Sequence, residues 1–260
     1  MAIEYIVAFV LLGLLAGSLS GLLGIGGGVI LVPALVFIFN LPEQSAQGTT
    51  LALMVPPIGL LAAWHYYKQG HVNLRVAGVI CLGFALGGWL GAKSALLMSG
   101  ALSEKIFAAA LLLIAAKMLF FPEQSLAGEQ TLHSHANRRF SLGSIGLFLL
   151  LGVFAGGLSG LLGIGGGVII VPLLIFLFGF SQHDAQGTTL ALMVPPIGLL
   201  AAWQYLQRGA VDLPTAGWVC LGFFVGGLLG ARLASSVPTR VMSKIFGIAV
   251  ILIAVKMLLA

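Results

Sequence analysis

The chain has 260 residues, of which 60% are hydrophobic and only 7% charged, against about 25% charged in an ordinary soluble domain. So few charges cannot clothe a solvated surface, and the formal net charge of +5 is scattered over loops and helix ends with no basic run suited to nucleic acid. A soluble domain and a nucleic-acid binder are thereby excluded, and the expected solvent is a lipid bilayer.

Apolar runs of roughly 16 to 20 residues, rich in Leu, Ala and Gly, suit helices crossing a hydrocarbon core of ~30 Å. A β-barrel would instead alternate over segments of about ten residues. The expected class is all-α and polytopic.

The first run could pass for a signal peptide, but it lacks a basic start and carries Glu4. Its end, LLGLLAGSLSG at 11–21, returns as LLGVFAGGLSG at 150–160. It is therefore expected to belong to the folded body, uncleaved.

That return is part of a tandem duplication. Residue 20 pairs with residue 159, an offset of 139 that holds without a gap from 11–121 against 150–260. The expected organisation is a first transmembrane repeat at 1–121, a polar linker at 122–140 and a second repeat at 141–260. The linker holds Pro, Gly, Ser and mixed charge, as a solvent-facing connection should, and its His133 and His135 have no counterpart elsewhere.

Each repeat reads as five apolar segments: 3–20, 25–39, 49–67, 74–97 and 106–121, then 142–159, 164–178, 188–206, 214–236 and 245–259. This gives 8–10 transmembrane helices. An odd number of crossings per repeat inverts the second repeat, and an even number, with the glycine-led segment re-entrant, leaves the repeats parallel. If all ten cross, Lys68, Arg75, Lys117, Arg138, Arg139, Arg232, Arg240 and Lys244 share one side, and Lys93, Lys105, Arg208 and Lys256 the other. This asymmetry in basic residues favours inverted repeats.

Two interruptions recur in each repeat. The first is GLLGIGGGVILVP, closing on Pro33, and its copy GLLGIGGGVIIVP, closing on Pro172. Residues 24–28 and 163–167 are expected to be unwound ahead of short helices, whose glycine N–H groups can hold an anion without side chains in the way. Gly26, Gly27, Gly28, Gly165, Gly166 and Gly167 are thus candidate binding residues. Close helix packing is the competing explanation for any membrane glycine, and it is the expected one for GGWLG at 87–91 and GGLLG at 226–230.

The second interruption is QGTTLALMVPPIG, repeated residue for residue. Gln47, Gly48, Thr49 and Thr50, with Gln186, Gly187, Thr188 and Thr189, begin helices that Pro56–Pro57 and Pro195–Pro196 must break or kink. Neutral Gln and Thr donors can bind oxyanions and still let them go.

Lys93 and Arg232 occupy matching positions, to attract anions or to snorkel to an interface. Lys117 and Lys256 read as snorkelling, and Trp64 and Trp203 as an interfacial belt. His65 is Gln204 in the second repeat, which excludes a role needing an imidazole in both. Cys81 and Cys220 suit small buried hydrophobes. No intramembrane carboxylate pair, nucleophile with base, or metal-ligand cluster stands out, so neither an enzyme nor a cofactor is expected.

Taken together, the duplicated GxGGG clusters, each followed by a proline and a QGT segment, resemble the TauE/SafE sulfite exporter family, also called TSUP transporters, over nearly the whole chain. The resemblance implies a multi-pass inner-membrane carrier for sulfur-containing anions such as sulfite, sulfoacetate or related organosulfonates, bound between repeats with discontinuous helices and released by alternating access. An anion channel, or a carrier of another anion such as a carboxylate, is the alternative. The expected partners are a small anion and the bilayer, with a homodimer plausible.

Overall fold

A computed structural model describes residues 3–24, 26–99 and 142–233, with single positions 102, 105, 106, 109, 112, 251 and 255. The 122–140 linker and most of the fifth segments, with Lys117 and Lys256, lie outside the described residues.

The first repeat folds into α1 (Ile3–Leu23), α2 (Gly28–Phe37), α3 (Glu43–Leu53), α4 (Leu60–Lys68) and α5 (Leu74–Ala95). The second folds into α6 (Leu142–Leu162), α7 (Gly167–Phe178), α8 (Gln182–Leu192), α9 (Leu199–Gln207) and α10 (Leu213–Leu233). Among the described residues every regular element is a helix. Four of them, α1, α5, α6 and α10, are long and apolar enough to cross a membrane.

The short helices arise from the interruptions. Residues 49–67 do not form one kinked helix: α3 starts earlier, at Glu43, and stops at Leu53, and α4 restarts at Leu60. Pro42 precedes the first helical residue and Glu43 complements the dipole, which together favour that earlier start. At the far end the bonds tighten to three-residue spacing, Met54 N to Leu51 O (3.1 Å) and Val55 N to Ala52 O (3.1 Å). Pro56 and Pro57 then offer no N–H to continue the ladder. Met193, Val194, Pro195 and Pro196 repeat the arrangement between α8 and α9.

The long helices pair across the repeats, α1 with α10 and α5 with α6. Each pair is zipped by glycines four residues apart, which stack on one helix face. A Cβ at Gly13, Gly17 or Gly21 would run into the backbone of Val219, Phe223 or Gly227; Gly222, Gly226 and Gly230 would return the collision on Val10, Leu14 and Ser18. Likewise Gly83, Gly87 and Gly91 meet Leu149, Val153 and Gly157. In each pair the numbers rise together, so the two helices run parallel. Backbones this close gain dispersion contacts that lipid tails cannot match, and the packing explanation holds for Gly87, Gly91, Gly226 and Gly230.

Candidate functional site

The glycine clusters lie at the junction of the two repeats. Gly24, Gly26, Gly163, Gly165 and Gly166 all have φ between +66° and +81°, a region where a Cβ would crowd the following carbonyl and only glycine is at ease. The clusters touch each other: a Cβ on Gly26 would lie 3.2 Å from the Gly165 carbonyl, and one on Gly28 would strike Gly163 and Ile164. Helices α2 and α7 start from these loops. Leu31 N and Ile170 N close their first turns on Gly27 O and Gly166 O, both at 2.9 Å, and first-turn N–H groups carry the positive end of the helix dipole.

Each cluster faces α3 or α8 of the opposite repeat. Gln47, Thr50 and Met54 lie on one stripe of α3 at spacings of three and four. The stripe's ends touch the second cluster: a Cβ on Gly163 would sit 2.8 Å from Gln47 Cα, and one on Gly165 would sit 3.2 Å from Met54 Sδ. Gln186, Thr189 and Met193 repeat this against Gly24 and Gly26, with Gln186 Cα and Met193 Cε each 2.9 Å from the added Cβ. Thr50 and Thr189 are completely buried. Their Oγ1 atoms have no hydrogen-bond partner among the described residues, although buried hydroxyls are nearly always paired.

The glutamine carboxamides are oriented from the other repeat. Tyr205 Oη donates to Gln47 Oε1 (3.2 Å) and lies 3.1 Å from Gly160 O; Tyr66 Oη donates to Gln186 Oε1 (3.2 Å) with Gly21 O at 3.4 Å. Gln47 Nε2 donates to Glu43 Oε1 at 2.8 Å. Thr49 Oγ1 accepts from Asp212 N (2.9 Å), and Thr188 Oγ1 from Asn73 N (3.0 Å). Gly48 and Gly187 let the chain before α10 and α5 approach: a Cβ there would meet Ala210 O and His71 O.

The proposed residues therefore fall into three sets. Gly26, Gly28 and Gly165 meet at the junction, and Thr50 and Thr189 lie on the stripes whose ends touch it; Gly27 and Gly166 abut the rings of Phe223 and Phe84; and Gly167 N donates to Gly165 O at 2.8 Å. Gln47, Gly48, Thr49, Gln186, Gly187 and Thr188 make the clasps between repeats just described. Lys93 and Arg232 stand apart on exposed faces near the ends of α5 and α10, and the Lys93 ammonium lies 5.5 Å over the Trp89 ring.

The two clusters are not in one conformation. Gly27 is right-handed (φ −64°) where its counterpart Gly166 is left-handed. Ser159 Oγ accepts from Gly165 N at 3.1 Å, whereas the buried Ser20 Oγ has no partner among the described residues. Sequence reasoning passed over Ser20, Ser159, Tyr66 and Tyr205. Their recurrence at the 139-residue offset was the available signal, as polar residues kept in both copies of an apolar chain.

Curated relatives resemble the chain over almost its whole length. "Probable membrane transporter protein YdhB" of Bacillus subtilis (strain 168) is 28% identical over 240 residues, covering 90% of this chain and 93% of the relative. A "Probable membrane transporter protein" of Xylella fastidiosa (strain 9a5c) is 28% identical over 262 residues, covering 98% and 95%. One of Haemophilus influenzae is 28% identical over 279 residues, covering 98% of each chain. No solved structure matches. These relatives and the four helices long and apolar enough to cross a membrane identify a multi-pass inner-membrane transporter. The model of the "Sulfite exporter TauE/SafE" family matches residues 9–257, and the chain belongs to that family.

Proposed function

We propose that the protein is an alternating-access carrier that exports a sulfur-containing oxyanion, such as sulfite or an organosulfonate, bound where the two glycine clusters meet. The observation that carries the reading is the pair of completely buried, partnerless hydroxyls of Thr50 and Thr189, each on a stripe that touches the opposite cluster at both ends. Leaving a buried hydroxyl unpaired costs about 1–3 kcal/mol, and an oxyanion between them would repay it. Cluster glycine N–H groups not engaged within the protein would supply further neutral donors, and none of the described lysines lies at the junction to trap the ligand.

The same contacts support inverted repeats. Asp212, just ahead of α10, bonds Thr49, and Gln47 abuts Gly163 at the end of α6. The start of α10, and of the parallel α1, thus lies at the level where α6 ends. Helices α1 and α6 occupy equivalent places in the two repeats and run in opposite directions. The site then sits on a pseudo-two-fold axis near the bilayer midplane, where rocking the repeats exposes it to either side. An inside-negative potential favours outward movement of one negative charge by about 2.3 kcal/mol per 100 mV, so export needs no coupling ion.

Exchange in proteoliposomes tests this reading. Labelled sulfite or sulfoacetate inside should leave saturably, and faster when unlabelled sulfur oxyanion is present outside. Single-channel currents would make the protein a channel, and equal exchange of matched carboxylates would move the substrate class.

A further inference from the structure

The two repeats are near-copies around the site, which gives weight to the places where they part. One mouth carries His71, in the turn between α4 and α5, with His183 and Asp184 at the start of α8. The matching positions at the other mouth are Ala210, Gln44 and Ser45. There Gln44 Nε2 reaches the carbonyls of Ala95 and Met98, and Arg208 Nη1 that of Leu96.

His71 Nδ1 lies 2.8 Å from Asp184 Oδ1, with the side chains 25% and 39% exposed, so water can deliver a proton to the pair. The His183 ring stands 5.4 Å from that of His71 and 6.4 Å, edge-on, from that of Tyr66. Tyr66 in turn donates to Gln186 beside the glycine cluster. The three residues thus tie the start of α8 to the α4–α5 turn of the opposite repeat and adjoin the groups that orient Gln186.

We propose that His71, His183 and Asp184 form a proton-binding site that latches this mouth. With His71 neutral only the Asp184 carboxylate carries charge in the contact. With an imidazolium both partners are charged and the contact becomes an ion pair as well as a hydrogen bond, so α8 is held more firmly against the turn. A second proton on His183 would face the first across 5.4 Å with one carboxylate between two cations, so the cluster takes one proton in preference to two.

The elements packed on α8 are α4, α5 and α7. α4 contributes His65, whose Nε2 pairs with Gln69 at 3.1 Å, Tyr66, Tyr67, and Lys68, whose ammonium lies over Trp64. α5 contributes Arg75 at its start, and α7 has no titratable side chain. None replaces Asp184 as the carboxylate facing His71. An imidazole gains its proton as pH falls, so the latch tightens as pH falls and releases as it rises.

What the latch gates rests on the proposed alternating access, but the latch can be read without any substrate. Spin labels at Tyr67→Cys and Leu177→Cys, both exposed and flanking the contact, would be placed in a Cys81→Ala, Cys220→Ala background. Double electron–electron resonance is then recorded on the full-length protein in nanodiscs from pH 5.5 to pH 8. A shift to longer distances as pH rises, abolished by Asp184→Asn and by His71→Gln, is expected. An unchanged distribution, or a response that survives in both variants, overturns the proposal. A pH-dependent latch in protein that moves no sulfur oxyanion would leave this inference standing and remove only the substrate.

Discussion

Glycine serves two purposes here, and the contrast between the stripes on the long helices and the paired clusters at the junction separates them. In the stripes the glycines are helical, and an added Cβ meets another helix's backbone, which cannot move aside. In the clusters five glycines, Gly24, Gly26, Gly163, Gly165 and Gly166, are left-handed, and an added Cβ meets mostly side chains or the opposite cluster. The stripes bring long helices together, and the clusters bring the two repeats together at the junction where the anion is proposed to bind. One residue type in one chain thus meets backbone or side chain according to what stands where its own side chain would be.

The largest effect is expected from breaking a stripe. Gly87→Leu or Gly226→Leu drives a side chain into the Val153 or Leu14 carbonyl, and overpacking of this kind costs about 1–3 kcal/mol or more. Folded protein in membranes should fall sharply, measured by fluorescence-detected size exclusion.

A cluster glycine should lose function before fold. Gly166→Ala, at φ +66°, carries a left-handed penalty of about 1–2 kcal/mol, which its counterpart Gly27→Ala, at φ −64°, escapes. Both press on a phenylalanine ring. Gly166→Ala should therefore lower the melting temperature more than Gly27→Ala, while both reduce transport at least tenfold. Equal melting temperatures would mean that the two clusters share one backbone conformation.

Smaller still is the expected effect of Tyr66→Phe or Tyr205→Phe, each removing one hydrogen bond to a glutamine. A typical bond contributes about 0.5–1.5 kcal/mol net, so sulfite affinity should fall severalfold in each. Affinity unchanged in both would make the glutamines bystanders. Least of all should follow from Lys93→Gln, since the ammonium rests on an exposed tryptophan ring. Its transport should stay within twofold of wild type, and a larger loss would restore anion attraction to this residue.

Much of the fold was legible because apolar length and an exact internal offset are properties of the sequence alone. The four long helices, the non-helical glycines ahead of Gly28 and Gly167, and the breaks at Pro56–Pro57 and Pro195–Pro196 could be read. The start of α3 at Glu43 was missed because three polar residues, Glu43, Gln44 and Ser45, look like loop in the sequence. The pairing of α1 with α10, rather than with a neighbour in its own repeat, lay in glycines at four-residue spacing, but spacing names no partner. Tyr66 and Tyr205 were passed over because nothing next to them in sequence needs a hydroxyl. Only the crossing of the repeats carries their hydroxyls 120 and 158 residues away in sequence, onto Gln186 and Gln47.

The most direct test of the site is calorimetric binding of sulfite and sulfoacetate, beside matched carboxylates, to wild-type protein and to the Thr50→Val, Thr189→Val double variant. Valine keeps the shape and removes only hydroxyls that lack protein partners, so stability should hold or rise while sulfur-oxyanion binding drops at least tenfold. Unchanged binding by the stable double variant would place the anion elsewhere and contradict the account.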